Sequence, residues 1–258
     1  MRLDGVYVLT APAEGDQGRQ AMAEELLYEG KAKRIYASDH PDQVVMEFKD
    51  DATALNGQKR ATIEDKGIIN RAFTARVFRY LEEQRIPTHL LAEIDQRRLL
   101  VRRLTMIGLE VVVRNRVAGS LAARTGLAEG TVLDRPIVEF YLKDDALGDP
   151  LLNDDHIRVL GIADEETVLR LRQMAIRINR VLQEFLAARA MILVDFKLEF
   201  GRPPGGEGEG IVLADEITPD TCRLWDRTTL EKLDKDRFRR DMGGVIEGYR
   251  EAWRRVRQ

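Results

Sequence analysis

The chain has 258 residues, 44% hydrophobic and 33% charged, enough for one large domain or two small ones with substantial cores. A net charge of −3 argues against a dedicated nucleic-acid binder, although 41 lysines and arginines leave room for local basic clusters. No apolar run approaches the roughly 20 residues that a membrane-spanning helix needs. The single cysteine, Cys222, excludes an internal disulfide, suits a reducing cytoplasm and has no evident local base. With three scattered histidines (His40, His89, His156), it makes a poor start for a zinc site.

Residues 1–22 read as an extension outside the fold, with Met22 a candidate start and an apolar patch too short for a secretory signal. Residues 26–36 read as strand, tight basic turn, strand, and residues 44–48 as the third strand of a small meander. Gly30, Lys31, Lys33 and Arg34 in that turn suit close approach to phosphates, though an ordinary solvated turn is the default for so short a motif. Residues 50–57 read as a polar loop. Ile69, Phe73, Val77, Tyr80 and Leu81 recur at helical spacing and predict a helix over about 67–85, stopped by Pro87.

A strand over 99–104 and a link at 106–108 come next, the link serving as a hinge between lobes. The strand at 109–113 runs into Arg114, Arg116, Gly119 and Ser120. Two arginines leaving a strand, with Gly-Ser opening a helix, make an anion cradle of guanidinium forks and free N–H groups. A capped helix beside solvated arginines is the alternative. Residues 136–143 read as a strand and residues 144–155 as a solvated acidic loop. Asp164 caps a long helix whose apolar stripe carries Val168, Leu171, Met174, Ile178, Leu182 and Phe185.

Residues 191–200 alternate. Ile192, Val194, Phe196, Leu198 and Phe200 take one face; Leu193, Asp195, Lys197 and Glu199 take the other. A glycine-rich turn at 201–210 returns the chain to residues 212–216. Folding these segments with Gly201 facing Leu213 sets Glu199 opposite Asp215, their Cβ atoms about 5 Å apart. Such a like-charge pair needs a cation between its members, and Mg²⁺ takes carboxylate oxygens; a solvated face in another register is the alternative. A loop at 220–226 and one terminal helix carrying Phe238, Met242, Ile246, Tyr249 and Trp253 complete the chain.

Four motifs in order, residues 28–33, 113–121, 193–201 and 215–226, together resemble the SAICAR synthetase (phosphoribosylaminoimidazole-succinocarboxamide synthase) family of purine biosynthesis. The resemblance spans about 24–254. It implies an α+β, two-lobed fold: a β-rich N-terminal lobe over 23–106, a larger α/β lobe over 107–258, and ATP between them. It further implies a cytoplasmic enzyme, commonly a homodimer, that joins L-aspartate to the carboxylate of an aminoimidazole ribonucleotide and consumes ATP with Mg²⁺. Matched position by position, Lys31, Lys33, Met106, Lys197, Glu199 and Asp215 fall at the ATP site. Glu199 and Asp215 hold the metal, and Lys33, Asp195 and Lys197 fall among the catalytic positions. Arg114, Ser120, Arg223 and Asp195 match ribonucleotide contacts, with Asn56 and Lys143 as further substrate contacts.

Three features depart from the family pattern: the extension, the longer glycine-rich turn, and Asn56 where some members carry aspartate. A small-molecule kinase is one rival, since Asp195-Phe196-Lys197 mimics Asp-Phe-Gly, but no His-Arg-Asp loop accompanies it. A non-catalytic nucleotide-binding regulator is the other, and the intact carboxylate and arginine positions argue against it.

Overall fold

The computed structural model describes residues 25–54, 57–205 and 210–258. The extension expected at 1–22, the substrate contact expected at Asn56 and the middle of the glycine-rich turn, 206–209, lie outside the described residues.

The chain opens with the expected antiparallel meander, β1 (Leu26–Glu29), β2 (Lys33–Ala37) and β3 (Gln43–Phe48). The stretch read as a polar loop instead forms β4 (Asp51–Ala54), paired with β5 (Lys59–Thr62). Ala52 and Ala54 bury against Phe238, so two small apolar residues at period two decide the strand. Helix α1 (Lys66–Glu83) follows as expected and buries Ile69, Phe73, Val77 and Leu81. Strands β6 (Leu90–Glu93) and β7 (Arg98–Arg102) complete a sheet of order β1-β2-β3-β7-β6.

The expected link at 106–108 is part of a strand. β8 (Thr105–Arg116) already pairs at its start, with Thr105 facing Arg202 and Met106 facing Gly201, so only Arg103 and Leu104 separate the two sheets. α2 (Gly119–Thr125) and β9 (Val132–Leu142) come next. The stretch read as an acidic loop holds the two-residue β10 (Leu151–Leu152) and the start of α3 (Asp154–Val159), which Asn153 and His156 cap reciprocally. Asp164 caps α4 (Glu165–Ala187) as expected, accepting from the Thr167 N–H, and the helix buries Val168, Leu171, Ile178, Leu182 and Phe185.

β11 (Met191–Arg202) is the axis of the second sheet, whose order is β10-β9-β8-β11-β12, with β12 at Val212–Ala214. β8 covers one edge of β11. The other edge is shared: β13 (Cys222–Asp226), expected as a loop, pairs with its first half and β12 with its second. At the fork between them, the Lys197 N–H donates to the Thr221 carbonyl at 3.0 Å.

Two expectations about β11 are corrected. Its pairing with β13 shifts register between Leu193 and Asp195, and the side-chain alternation shifts too. Leu193, Phe196, Leu198 and Phe200 join the main core, whereas Ile192 and Val194 pack with Ala118 and Trp225 in a separate cluster. The hairpin register is also one residue away from the one expected: Gly201 faces Val212, which sets Glu199 opposite Ala214 rather than Asp215. A one-residue slip would turn Asp215 to the other face. Asp215, however, lies just beyond β12 with φ 60, and that left-handed turn brings its side chain to the same cleft as Glu199.

The single terminal helix expected divides into α5 (Asp236–Arg239) and α6 (Val245–Val256). Gly243 and Gly244, at φ 71 and 58, break it, and Met242 is exposed rather than docked. The main core runs through both sheets, with α1 and α4 supplying its helical side. Asn115 on β8 and Asn179 on α4 exchange amide hydrogen bonds of 2.8 and 2.9 Å in this core. No described helix is long and apolar enough to cross a membrane.

Candidate active site

Burying one face of the β8–β9–β11 sheet on α4 leaves its other face polar. Along β11 that face carries Asp195, Lys197 and Glu199, opposite Arg114, Val112 and Glu110 of β8. Side chains on one strand face recur every two residues, so Asp195 and Glu199 stand about 13 Å apart. A cleft of about 1710 Å³ opens over the Glu199 end. Its lining includes Lys31 and Lys33 from the β1–β2 segment, Met106, Lys143, Lys197, Glu199, Asp215 and Glu216.

In this cleft three lysines share four carboxylates. Lys33 Nζ lies 2.6 Å from both Asp215 Oδ1 and Glu216 Oε1, Lys143 pairs with Glu199, and Lys197 pairs with Glu110 at 2.6 Å. Lys31 reaches Asp145 at 2.5 Å on the rim. Burial works against the Lys33 ammonium, but Asp215 and Glu216 hold its pKa well above the usual lysine range. Burial likewise favours protonated Asp215, and Lys33 outweighs it, keeping the carboxyl ionised. Glu199 goes the other way: burial, then repulsion from Asp215, pushes it up to about 7 despite Lys143. His89 lines the same cleft with its Nε2 unpartnered, and burial lowers its pKa to about 4, leaving the ring neutral.

The Asp195 end is built differently. Arg114 donates from Nε to Glu139 at 2.8 Å, from Nη1 to Asp195 at 2.8 Å, and from Nη2 to Ser120 Oγ at 2.9 Å. Arg223 donates from Nη1 to Asp195 at 2.8 Å and from Nε to Asp236 at 2.8 Å. Arg124 also reaches Glu139, and Arg239 reaches Asp236 at 2.6 Å. Four arginines therefore share three carboxylates. Gly119, at φ 52, is required here: a Cβ would meet an Arg223 guanidinium nitrogen at 2.4 Å. Of the expected cradle, Arg114, Gly119 and Ser120 lie at this cluster, whereas Arg116 turns away and donates to the Gly130 carbonyl at 3.4 Å. The clustered guanidiniums already engage carboxylates, and α2 contributes only seven residues.

The structure thus brings Lys31, Lys33, Met106, Lys143, Lys197, Glu199 and Asp215 to one cleft, and Arg114, Ser120, Asp195 and Arg223 to one cluster. Lys143, expected to contact substrate, pairs with Glu199 instead of standing free. Sequence reasoning missed Glu216, Glu110, Glu139 and His89. Glu216 was within reach, since it follows Asp215 and sits two residues before Thr218, whose hydroxyl it accepts at 2.8 Å. Glu110 and Glu139 become visible only once β8 is paired with β9 and β11.

The SAICAR synthetase family model matches residues 26–256. The chain belongs to the SAICAR synthetase family. The phosphoribosylaminoimidazole-succinocarboxamide synthase of Brevibacillus brevis is 56% identical over 233 residues, covering 90% of this chain and 96% of its own. That of Coprothermobacter proteolyticus is 53% identical over 232 residues, covering 90% and 97%. Among solved structures, the Ehrlichia chaffeensis synthase aligns with a TM-score of 0.89 at 42% identity, covering 90% of this chain and 98% of that one. A SAICAR synthetase solved in complex with ADP aligns with a TM-score of 0.85 at 49% identity, covering 89% and 96%. The α+β architecture is the one these SAICAR synthetases share, and membership makes the chain an enzyme, a ligase of purine biosynthesis.

Proposed function

We propose that the enzyme joins L-aspartate to the carboxylate of 5-amino-1-(5-phosphoribosyl)imidazole-4-carboxylate, converting ATP to ADP and phosphate by way of an acyl phosphate. The observation that carries this reading is the pairing of two unlike charge clusters on one face of β11. One is rich in lysine and carboxylate, the other in arginine. The relative with bound ADP supports an adenine nucleotide in the cleft.

A carboxylate does not condense directly with an amine, because oxide is too poor a leaving group. In the first step a substrate carboxylate oxygen attacks the γ-phosphorus of ATP, a P–O bond forms, and ADP departs with the bridging oxygen. The neutral aspartate amine then attacks the acyl carbon; a C–N bond forms, the C–O bond to phosphate breaks, and the departing phosphate takes up the proton that the amine releases. Lys31 and Lys33 would bind the nucleotide phosphates and Met106 would lie near the adenine, with ATP between lobes 23–106 and 107–258. Lys33 and Lys197 would stabilise charge on the transferring phosphoryl. Arg114, Ser120 and Arg223 would bind the ribose phosphate and hold the reacting carboxylate in line, with Asp195 setting both guanidiniums. Asn56 and Lys143 are further substrate contacts on this reading.

The donor set fits Mg²⁺. Glu199 and Asp215 offer hard carboxylate oxygens to one cleft, a two-carboxylate set that suits an ion completed by water and phosphate, and among the described residues no group of three or more metal-ligating side chains gathers. A divalent ion held there would neutralise phosphate charge. The single buried cysteine suits a cytoplasmic setting, and we take a homodimer from the family resemblance. The deciding experiment is a turnover assay: ADP release should require both the ribonucleotide and L-aspartate. Sustained release over many turnovers with the ribonucleotide as sole acceptor would favour a kinase.

A further inference from the structure

Lys33 holds two carboxylates, and they are fixed in different ways. Asp215 lies at the end of β12, and its Oδ1 touches Lys33 alone among the ion pairs of the cleft. Glu216 is almost fully buried and anchored from behind. Its Oε2 accepts the Thr218 hydroxyl at 2.8 Å, while its Oε1 faces Lys33 Nζ at 2.6 Å. The same Thr218 oxygen accepts the Asp220 N–H at 3.1 Å. Asp220 in turn is saturated: Oδ2 accepts Lys66 Nζ at 2.7 Å and Asn70 Nδ2 at 2.9 Å, and Oδ1 accepts the Tyr249 hydroxyl at 2.6 Å. Lys66, Thr218 and Tyr249 are 0%, 0% and 1% exposed. A continuous run of buried hydrogen bonds therefore leads from α1 and α6 to the ammonium of Lys33.

We propose that Glu216 is a positioning residue that keeps Lys33 directed into the cleft when Asp215 serves a divalent cation, and that Asp220, set by Lys66, Asn70 and Tyr249, holds Glu216 in place through Thr218. A carboxylate shared between a lysine and a cation attracts each less strongly than it would alone. Lys33 is half-buried, and an ammonium in that position is held charged and in place by its carboxylates. Glu216 can supply one at every stage because the hydrogen bond from Thr218 keeps it from following the metal. The assignment rests on the reading of Lys33 as a nucleotide-phosphate residue.

The test is calorimetric titration of ADP into the full-length enzyme, with Mg²⁺ and with EDTA. Glu216→Gln keeps the side-chain shape and the Thr218 contact but sets an amide against the ammonium. It should weaken ADP binding about tenfold or more with Mg²⁺, and less than about threefold in EDTA, where Asp215 still holds Lys33. A purely structural role would weaken both alike, and that result overturns the proposal, as does unchanged binding with Mg²⁺. Tyr249→Phe removes one hydroxyl from the far end of the run and should show the same Mg²⁺-selective loss at about two- to fivefold. It carries the test should Glu216→Gln fail to fold, and an equal loss in both buffers would again overturn the assignment. Lys33→Ala separates the two readings. Unchanged ADP binding there removes the nucleotide role of Lys33 and the anchor with it, whereas a silent Glu216→Gln beside an impaired Lys33→Ala removes the anchor alone.

Discussion

The two ends of the polar face of β11 solve opposite electrostatic problems. At the Glu199 end, three lysines meet four carboxylates, one of which, Glu199, burial and Asp215 push up to about 7. At the Asp195 end, four arginines meet three carboxylates, leaving one positive charge in excess. The first composition welcomes a cation and the second an anion. The side chains differ to match. Lysine ammonium groups are point charges on flexible stems that can exchange partners, whereas the planar forks of Arg114 and Arg223 bind several acceptors in fixed directions. One end is suited to partners that change during turnover, the other to a group that is held throughout.

The comparison breaks most visibly at Asp215. Asp215→Asn should lower turnover about a hundredfold or more and raise the Mg²⁺ concentration needed for half-maximal rate. Near wild-type activity at limiting Mg²⁺ would remove its metal role. At the other end, Arg114→Ala strips a buried cation from Asp195 and Glu139 and should destabilise the fold by about 3 kcal/mol. In variant enzyme that remains folded, the ribonucleotide KM should rise about tenfold or more while the ATP KM stays within about twofold. Equal changes in both constants would mean the two ends are not separate sites. The smallest effect concerns acid stability. Burial favours neutral Asp236, but Arg223 and Arg239 outweigh it and hold the carboxyl at about 2, below its ordinary 3.8. The arginine end therefore contributes stability above pH 3.8 that is lost as pH falls towards 2. Asp236→Asn should remove about 1 kcal/mol from the stability difference between pH 6 and pH 3, since part of the term survives until the pH falls to 2. Urea titrations at pH 6 and pH 3 check this, and an unaltered difference between them would contradict it.

Much of this was legible in the residues. Period-two alternation located the meander and the second half of β11, helical spacing located α1 and α4, and the N-cap at Asp164 was visible as such. Each failure had a local physical cause. β4 was hidden because alanines carry its apolar face, and β13 because Arg223 and Asp226 outweighed Leu224 and Trp225. The register across the glycine-rich turn could not be fixed by alternation, since a turn of unknown shape lets the returning strand slide by one. Asp215 reached the cleft all the same through a left-handed backbone that only the structure reveals. The charge balance at either end was likewise invisible, because Glu110 and Glu139 enter from strands far away in sequence.

The fork on β11 has a consequence for substrate size. With β8 along one edge and β13 then β12 along the other, the strand has little freedom to stretch or slide. Asp195 and Glu199 become two marks on a ruler graduated at about 3.3 Å per residue. On the proposed reading, the ribose phosphate is gripped at one mark and the reacting carboxylate is offered near the other. A ligand longer or shorter by one sugar carbon would be gripped equally well and presented at the wrong graduation.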